Sequence, residues 1–353
     1  MSFLTDMVKG IDNTSLLSEG GNSSEFSGSI DTGSYILNAA ISGSIYGGVP
    51  NNKISAFAGE SATGKTFFVL GVLKQFLEDN KEGGVIYFDT EAAVTRQMMD
   101  DRGIDTTRVV ISEPSSIEEF RTNATRILTS YIEQGKDAPP MMLVLDSLGM
   151  LSSAKELADT ESGSDKRDMT KSQLLRGTFR VLSLKLAKAN VPLLVTNHVY
   201  DVIGAYIPTK EISGGAGLKY AASSIAMLGK KKDRDGTDVV GNIIKITMHK
   251  SRFTKENKKI EVKLSYDTGL DRYYGLVDLA EKYDIFKKVS TRYELPDGRK
   301  VFAKAIYTNP SEYFTDDIMA QLEVAAGKEF KYGQVGVDEI VSSTEEMEHT
   351  DAS

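Results

Sequence analysis

The 353-residue sequence holds no cysteine. That excludes disulfides and thiolate zinc sites, and it fits a reducing cytoplasm. No apolar run reaches the length of a membrane span, so no transmembrane segment is expected. The N-terminus, MSFLTDMVKGIDNTS, lacks a basic region followed by an apolar core, so secretion is not expected either. There is no net excess of positive charge: 42 Lys and Arg stand against 50 Asp and Glu, for a formal net charge of −8. A nucleic-acid-binding chain with that balance must concentrate its basic residues locally. The length suffices for one large α/β domain with appendages.

Against these absences stands one dense stretch, Gly59-Glu60-Ser61-Ala62-Thr63-Gly64-Lys65-Thr66, which reads G-x-x-x-x-G-K-[ST]. The apolar residues 54–58 before it predict a strand, and 67–76 after it predict a buried helix. Strand, glycine loop and helix form the context this P-loop pattern needs; an ordinary glycine-rich turn is the bland alternative. Glycines let successive N–H groups turn toward a phosphate, and the helix adds its positive dipole end. Lys65 supplies a full charge to the β- and γ-phosphates of ATP, and the Thr66 hydroxyl is placed to hold Mg²⁺.

Three more strands are expected at 85–88, 141–145 and 191–196. Helical patterns lie near 67–79, 94–101, 116–134 and 170–189. Strands alternating with helices argue for an α/β fold with a mainly parallel sheet. Each strand ends on polar residues: the P-loop, then Asp89-Thr90-Glu91, Asp146-Ser147 and Asn197-His198. Ligands of open α/β sheets bind at that edge. Asp146 is the natural carboxylate to orient Mg²⁺, and Glu91 the natural residue to orient or deprotonate an attacking water. A structural strand-end Asp and a surface Glu are the plain alternatives.

The runs D-T-G-S-Y-I-L-N-A-A-I (31–41), G-G-V-P, A-G-E-S-A-T-G-K-T, Y-F-D-T-E, L-V-L-D-S-L and V-T-N-H resemble the RecA/UvsX recombinases. S-G-G-A-G-L-K-Y-A-A (213–222) and H-K-S-R (249–252) continue the likeness in order. It covers roughly residues 30–330 and is nearer the phage UvsX branch: His198 stands where bacterial RecA proteins have glutamine. The resemblance implies a RecA-like ATPase that forms helical filaments on single-stranded DNA with ATP and Mg²⁺ and exchanges strands with homologous duplex DNA. It implies further partners in single-strand-binding and mediator proteins, and a cytoplasmic location, that of the host for a phage protein. Lys65, Thr66, Glu91 and Asp146 match the nucleotide and catalytic positions. His198 matches the residue that senses the γ-phosphate, and Lys250 and Arg252 a basic pair reaching the adjacent subunit's nucleotide. Met98 occupies the place where family members commonly have a tyrosine stacked on the adenine. A ring-shaped DNA helicase with the same core, and a regulatory P-loop ATPase without DNA function, remain the alternatives.

The expected organisation is an oligomerisation arm at 1–30, an ATPase core at 31–272, a small α+β domain at 273–335 and an acidic disordered tail at 336–353. Phe3, Leu4, Met7, Val8 and Ile11 share one face of a short helix in the arm. Two polar stretches fall where the family has its DNA loops. Residues 154–170 read as too polar to pack and carry Lys166 and Arg167. Residues 199–217 carry Tyr200, Tyr206, Ile207 and Lys210, which suit unstacked bases and phosphate, or else a small hairpin burying its own aromatics. Arg176 and Arg180, four apart on one helix face, are further phosphate contacts or a solvated face. Residues 230–263 hold the local positive excess. The double substitution Tyr206→Ala, Ile207→Ala is expected to weaken single-stranded DNA binding by about 1–3 kcal/mol per unstacked base. ATP binding should survive. Unchanged DNA affinity in a fluorescence anisotropy titration would favour the buried hairpin.

Overall fold

The computed structural model describes residues 3–7, 9–11, 14, 27–135, 137–163, 170–201 and 210–333. Two compact units share them: residues 1–31 with 49–229, and residues 32–48 with 230–353. In the first unit the strands are β1 (Ile54–Gly59), β2 (Gly84–Asp89), β3 (Val109–Ser112), β4 (Met141–Asp146), β5 (Leu193–Asp201), β6 (Lys210–Ile212) and β7 (Ser224–Asp235), the last continuing into the second unit. Their order is β3-β2-β4-β5-β1-β7, with every neighbouring pair parallel. The short β6 pairs antiparallel with the end of β5. The main helices are α1 (Lys65–Asp79), α2 (Ile117–Glu133) and α3 (Lys171–Ala189).

Both faces of the parallel sheet are covered, as such sheets require. Alternation along β1 shows how. Ile54, Ala56 and Ala58 join a buried cluster with Phe120 and Leu128 of α2 and Phe179 and Leu182 of α3. Phe57, on the other face, stacks on Phe68 of α1 at 5.7 Å between ring centroids. The register aligns the carboxyl ends: Asp89 lies opposite Asp146, Leu145 opposite Val195, and Gly59 opposite both His198 and Leu228.

Local chemistry sets the boundaries. Ser116 caps α2, accepting from the Glu119 amide at 3.1 Å, and acidic Glu118 and Glu119 sit at the positive end of the dipole. The same device explains a departure from expectation. Part of the polar stretch 154–170 forms a helix, Ala154–Glu161, because Ser153 accepts from the Glu156 amide at 3.0 Å and Lys171 reaches Glu156 at 3.2 Å. A second departure is β3, four residues long at the sheet's edge. Val110 and Ile111 are exposed there, so no apolar run announces it.

In the second unit β7 neighbours β8 (Asp238–Ser251), which pairs antiparallel with β9 (Lys259–Ser265), and β9 with β10 (Gly269–Leu270). The helix Tyr35–Ser42 belongs here, with five apolar residues buried. The residues before and after that excursion, Ser29–Ile30 and Val49–Pro50, pair antiparallel in the first unit. Strands β11 (Lys287–Val289), β12 (Arg292–Glu294) and β13 (Lys300–Val301) form a small separate sheet. Its second hairpin turns where Asp297-Gly298 suggests, with Gly298 at φ +83°.

The helix α4 (Asp316–Phe330) contributes Glu329, whose carboxylate receives Lys258 at 2.6 Å, Lys282 at 2.7 Å and Tyr283 at 3.0 Å. Burial alone would raise this carboxyl; the two ammonium groups and the phenol outweigh it and hold it at about 2. A depressed carboxyl contributes stability above its unfolded value, and loses it as pH falls through the folded value. Glu329→Gln should therefore cost on the order of 1 kcal/mol at pH 7 after screening. It should also flatten the loss of stability from the ordinary carboxylate range down to about 2. Urea midpoints measured across that range check this; a gap between the two proteins that does not narrow with acid would contradict it.

Candidate functional site

The P-loop follows β1 directly. A Cβ at Gly59 would lie 2.5 Å from Thr63 Oγ1 and 2.9 Å from the Leu228 carbonyl, so only glycine fits where the loop leaves the sheet. Gly64 opens α1 at φ +95°, a left-handed conformation that brings Lys65 and Thr66 onto the first turn. Thr63 braces the loop from within through the Glu60 carbonyl at 2.9 Å. Ser61 and Ala62 are exposed at its tip.

Lys65 is 7 % exposed, and its Nζ donates to the carbonyls of Gly59 at 3.2 Å and Glu60 at 2.9 Å. Burial lowers its pKa, with the Glu91 and Asp146 carboxylates working against that. The Thr66 hydroxyl donates to Asp146 Oδ2 at 2.8 Å. Two further hydroxyls, which sequence reasoning missed, also donate to Asp146: Tyr87 to Oδ2 at 2.6 Å, and Thr196 to Oδ1. Burial first, then Asp146, raises the Tyr87 phenol, which stays protonated as the donor.

Glu91 sits just past β2. Its Oε1 accepts from the Ser147 hydroxyl at 2.6 Å and lies 2.8 Å from His198 Nε2. Burial would raise this carboxyl, but Ser147, His198 and Lys65 outweigh it and hold it below its ordinary value. The turn carrying Glu91 is pinned by Asp89, whose carboxylate accepts from the amides of Glu91 at 3.0 Å and of Ala93 and Val94 at 3.1 Å. Thr90 binds the Ser147 backbone twice, at 2.7 and 2.8 Å, across a cis Asp146–Ser147 peptide.

His198 continues into the second polar stretch. Beyond it, β5 and β6 form an antiparallel hairpin in which Tyr200 faces Glu211 and Asp201 faces Lys210. Tyr200 is exposed, not buried by the hairpin. Lys210 pairs with Glu60 of the P-loop; that hydrogen bond lowers the Glu60 carboxyl and raises the Lys210 ammonium. Tyr206, Ile207, Lys166 and Arg167 lie outside the described residues. Arg176 and Arg180 are exposed on α3. Met98 is half-buried on the helix Arg96–Asp100, and the adjoining cavity of about 330 Å³ is lined by its neighbour Met99 with Val94, Thr95 and Val109.

Lys250, at the end of β8, and Arg252 just after it belong to the second unit, and the P-loop residues to the first. The basic stretch divides in two. Lys230, Lys231, Lys232 and Arg234 are exposed. Lys263 is committed to Asp233 at 3.0 Å, Lys258 to Glu329, and Lys255 to the last carbonyls of α4 at 2.9 and 3.2 Å. Among the described residues no helix is long and apolar enough to cross a membrane.

The donor set fits a magnesium–nucleotide pair. Among the described residues no group of three or more His, Asp or Glu could cage a metal alone. Thr66 with Asp146 suits an ion that takes its other ligands from phosphates and water. Fold and site together define an α/β P-loop protein of the kind that binds and hydrolyses nucleoside triphosphates. The chain belongs to the RecA family: the RecA N-terminal domain matches residues 2–271. It is similar to the recombination and repair protein of Enterobacteria phage T4, 29% identical over 245 residues, covering 69% of this chain but only 61% of the phage protein. It is similar to protein RecA of Cereibacter sphaeroides, 28% identical over 319 residues and 86% of each chain. Protein RecA of Chloroherpeton thalassium is 30% identical over 262 residues, 73% of this chain and 69% of that one.

Glu91→Gln removes the carboxylate while keeping its size. Nucleotide should still bind, and hydrolysis should fall by roughly 10²–10⁴-fold, the range of a positioned general base. Equilibrium binding beside single-turnover rates checks this; lost binding would make Glu91 a structural residue.

Proposed function

We propose that this chain is an ATP-dependent homologous recombinase that assembles as a helical filament on single-stranded DNA, pairs it with homologous duplex and exchanges strands. The observation that carries the reading is the placement of Glu91 between Ser147 and His198, at the root of the β5–β6 hairpin. A group that handles the attacking water is thereby tied to the segment read as DNA-facing. RecA-family membership and similarity to a phage recombination and repair protein support it.

In this reading the P-loop residues Gly59 to Thr66 cradle the phosphates, with Lys65 supplying charge. Thr66, oriented by Asp146, holds Mg²⁺, which neutralises phosphate charge when bound. Glu91 deprotonates or orients water, and His198 couples the site to the hairpin. Met98 lies on the adenine side. Lys250 and Arg252 act across the subunit boundary on the neighbour's nucleotide, so head-to-tail assembly completes the site. Lys166, Arg167, Arg176, Arg180, Tyr200, Tyr206, Ile207 and Lys210 contact DNA. Residues 1–30 serve as the polymerisation arm, 31–272 as the ATPase core, 273–335 as a small C-terminal domain and 336–353 as an acidic tail. Single-strand-binding and mediator proteins assist in recombination, repair and recombination-dependent replication, in the cytoplasm of the cell or phage host.

Strand exchange between a labelled single strand and homologous duplex tests this. Exchange should require ATP, and Lys65→Ala should abolish both exchange and turnover, because it removes the phosphate-binding charge. DNA-stimulated hydrolysis with closed rings by electron microscopy and no exchange would replace the recombinase with a helicase.

A further inference from the structure

Asp146 closes β4 and is 4 % exposed, a buried carboxylate that must be satisfied by donors. A carboxylate oxygen offers two lone-pair sites. Oδ2 receives Thr66 at 2.8 Å and Tyr87 at 2.6 Å, so both of its sites are taken. Oδ1 receives Thr196. Among the described residues one site therefore remains, on Oδ1.

Only Thr66 comes from the P-loop. Tyr87 and Thr196 sit on β2 and β5, the strands either side of β4, and both are fully buried. Tyr87 lies opposite Val144 and therefore on the same sheet face as Asp146, two residues on. Its hydroxyl reaches forward along the strand to the carboxylate. Filling the core would not require either hydroxyl, since phenylalanine and valine have nearly the same shapes. What the hydroxyls add is orientation: two donors from opposite strands fix the carboxylate plane, and the fixed Oδ2 in turn fixes which way the Thr66 hydroxyl points.

We propose that Tyr87 and Thr196 are positioning residues of the nucleotide site: they lock Asp146, and through it the Thr66 hydroxyl, in the orientation in which the pair would hold the metal, and thereby set the Mg²⁺ requirement for nucleotide binding. This rests on the reading of the site as one for a magnesium nucleotide. Partners that orient a metal site's ligands typically contribute 10–100-fold in metal affinity. Losing either hydroxyl lets the carboxylate rotate and loosens the Thr66 donor.

The test is equilibrium binding of a fluorescent ATP analogue to the full chain without DNA, with Mg²⁺ titrated upward from an EDTA-buffered baseline. Tyr87→Phe and Thr196→Val should each raise the half-saturating Mg²⁺ by about tenfold or more, with metal-free binding of the analogue unchanged. Thr196→Ser keeps a hydroxyl and should return the requirement close to that of the unaltered chain. An unchanged Mg²⁺ midpoint in both Tyr87→Phe and Thr196→Val would overturn the proposal. So would equal weakening with and without Mg²⁺, which marks a general packing defect. If the unaltered chain bound the analogue with no dependence on Mg²⁺, or Lys65→Ala bound it as well as the unaltered chain, the reading of the site itself would fall, and the proposal with it.

Discussion

A buried carboxylate organises the first unit. Asp146 at the end of β4 is out of water and must find donors inside the protein. It finds them on α1, β2 and β5, which converge because the parallel register brings their ends to one level. Moving β2 or β5 by one residue would turn Tyr87 or Thr196 to the other face of the sheet and leave the carboxylate unpaired. Sheet register and site geometry are thus one constraint seen twice. The core cluster beneath, with Phe88 edge-on to Phe120 at 5.0 Å, holds the strands at that register by apolar packing.

A second polar layer sits outward of the first. Glu91 touches Ser147, the residue after Asp146, and His198, two residues past Thr196. Asp89 pins the turn between β2 and Glu91 with three backbone amides. The β5–β6 pair is held to the site at both strands, by His198 to Glu91 past β2 and by Lys210 to Glu60 of the P-loop. The Lys210–Glu60 ion pair is exposed, so salt screens it. A displacement of Glu91 has a direct path into the hairpin through a 2.8 Å contact.

The parts legible in the sequence are those whose chemistry is local. The P-loop pattern carries its own strand, glycine turns and helix, and the structure reproduces all three. The positions of Glu91 and Asp146 follow from strand ends, which short apolar runs mark well; His198 was expected just past a strand at 191–196, but β5 runs on to Asp201 and carries His198 within it, because its polar end pairs with β6. Less legible were β3, too short and too exposed to stand out, and the helix Ala154–Glu161, hidden in a polar stretch until its Ser153 cap is considered. The basic run also reads differently once folded, because Lys255, Lys258 and Lys263 have internal partners while Lys230 to Lys232 stay exposed.

The sequence by itself determined the class of chemistry: one phosphate loop, one buried strand-end aspartate and one glutamate past a neighbouring strand. Each is defined within a few residues, so hydrophobic pattern and turn chemistry suffice to find it. Only the tertiary structure decided which hydroxyls hold Asp146, that Ser147 and His198 share Glu91, and that Lys210 is taken by the P-loop. Those pairings join residues 50 to 150 positions apart. A tyrosine at 87 and a threonine at 196 read from the chain as ordinary strand formers. Their hydroxyls acquire a role when the order β2-β4-β5 sets them on either side of one desolvated carboxylate, and strand order is a property of the whole sheet.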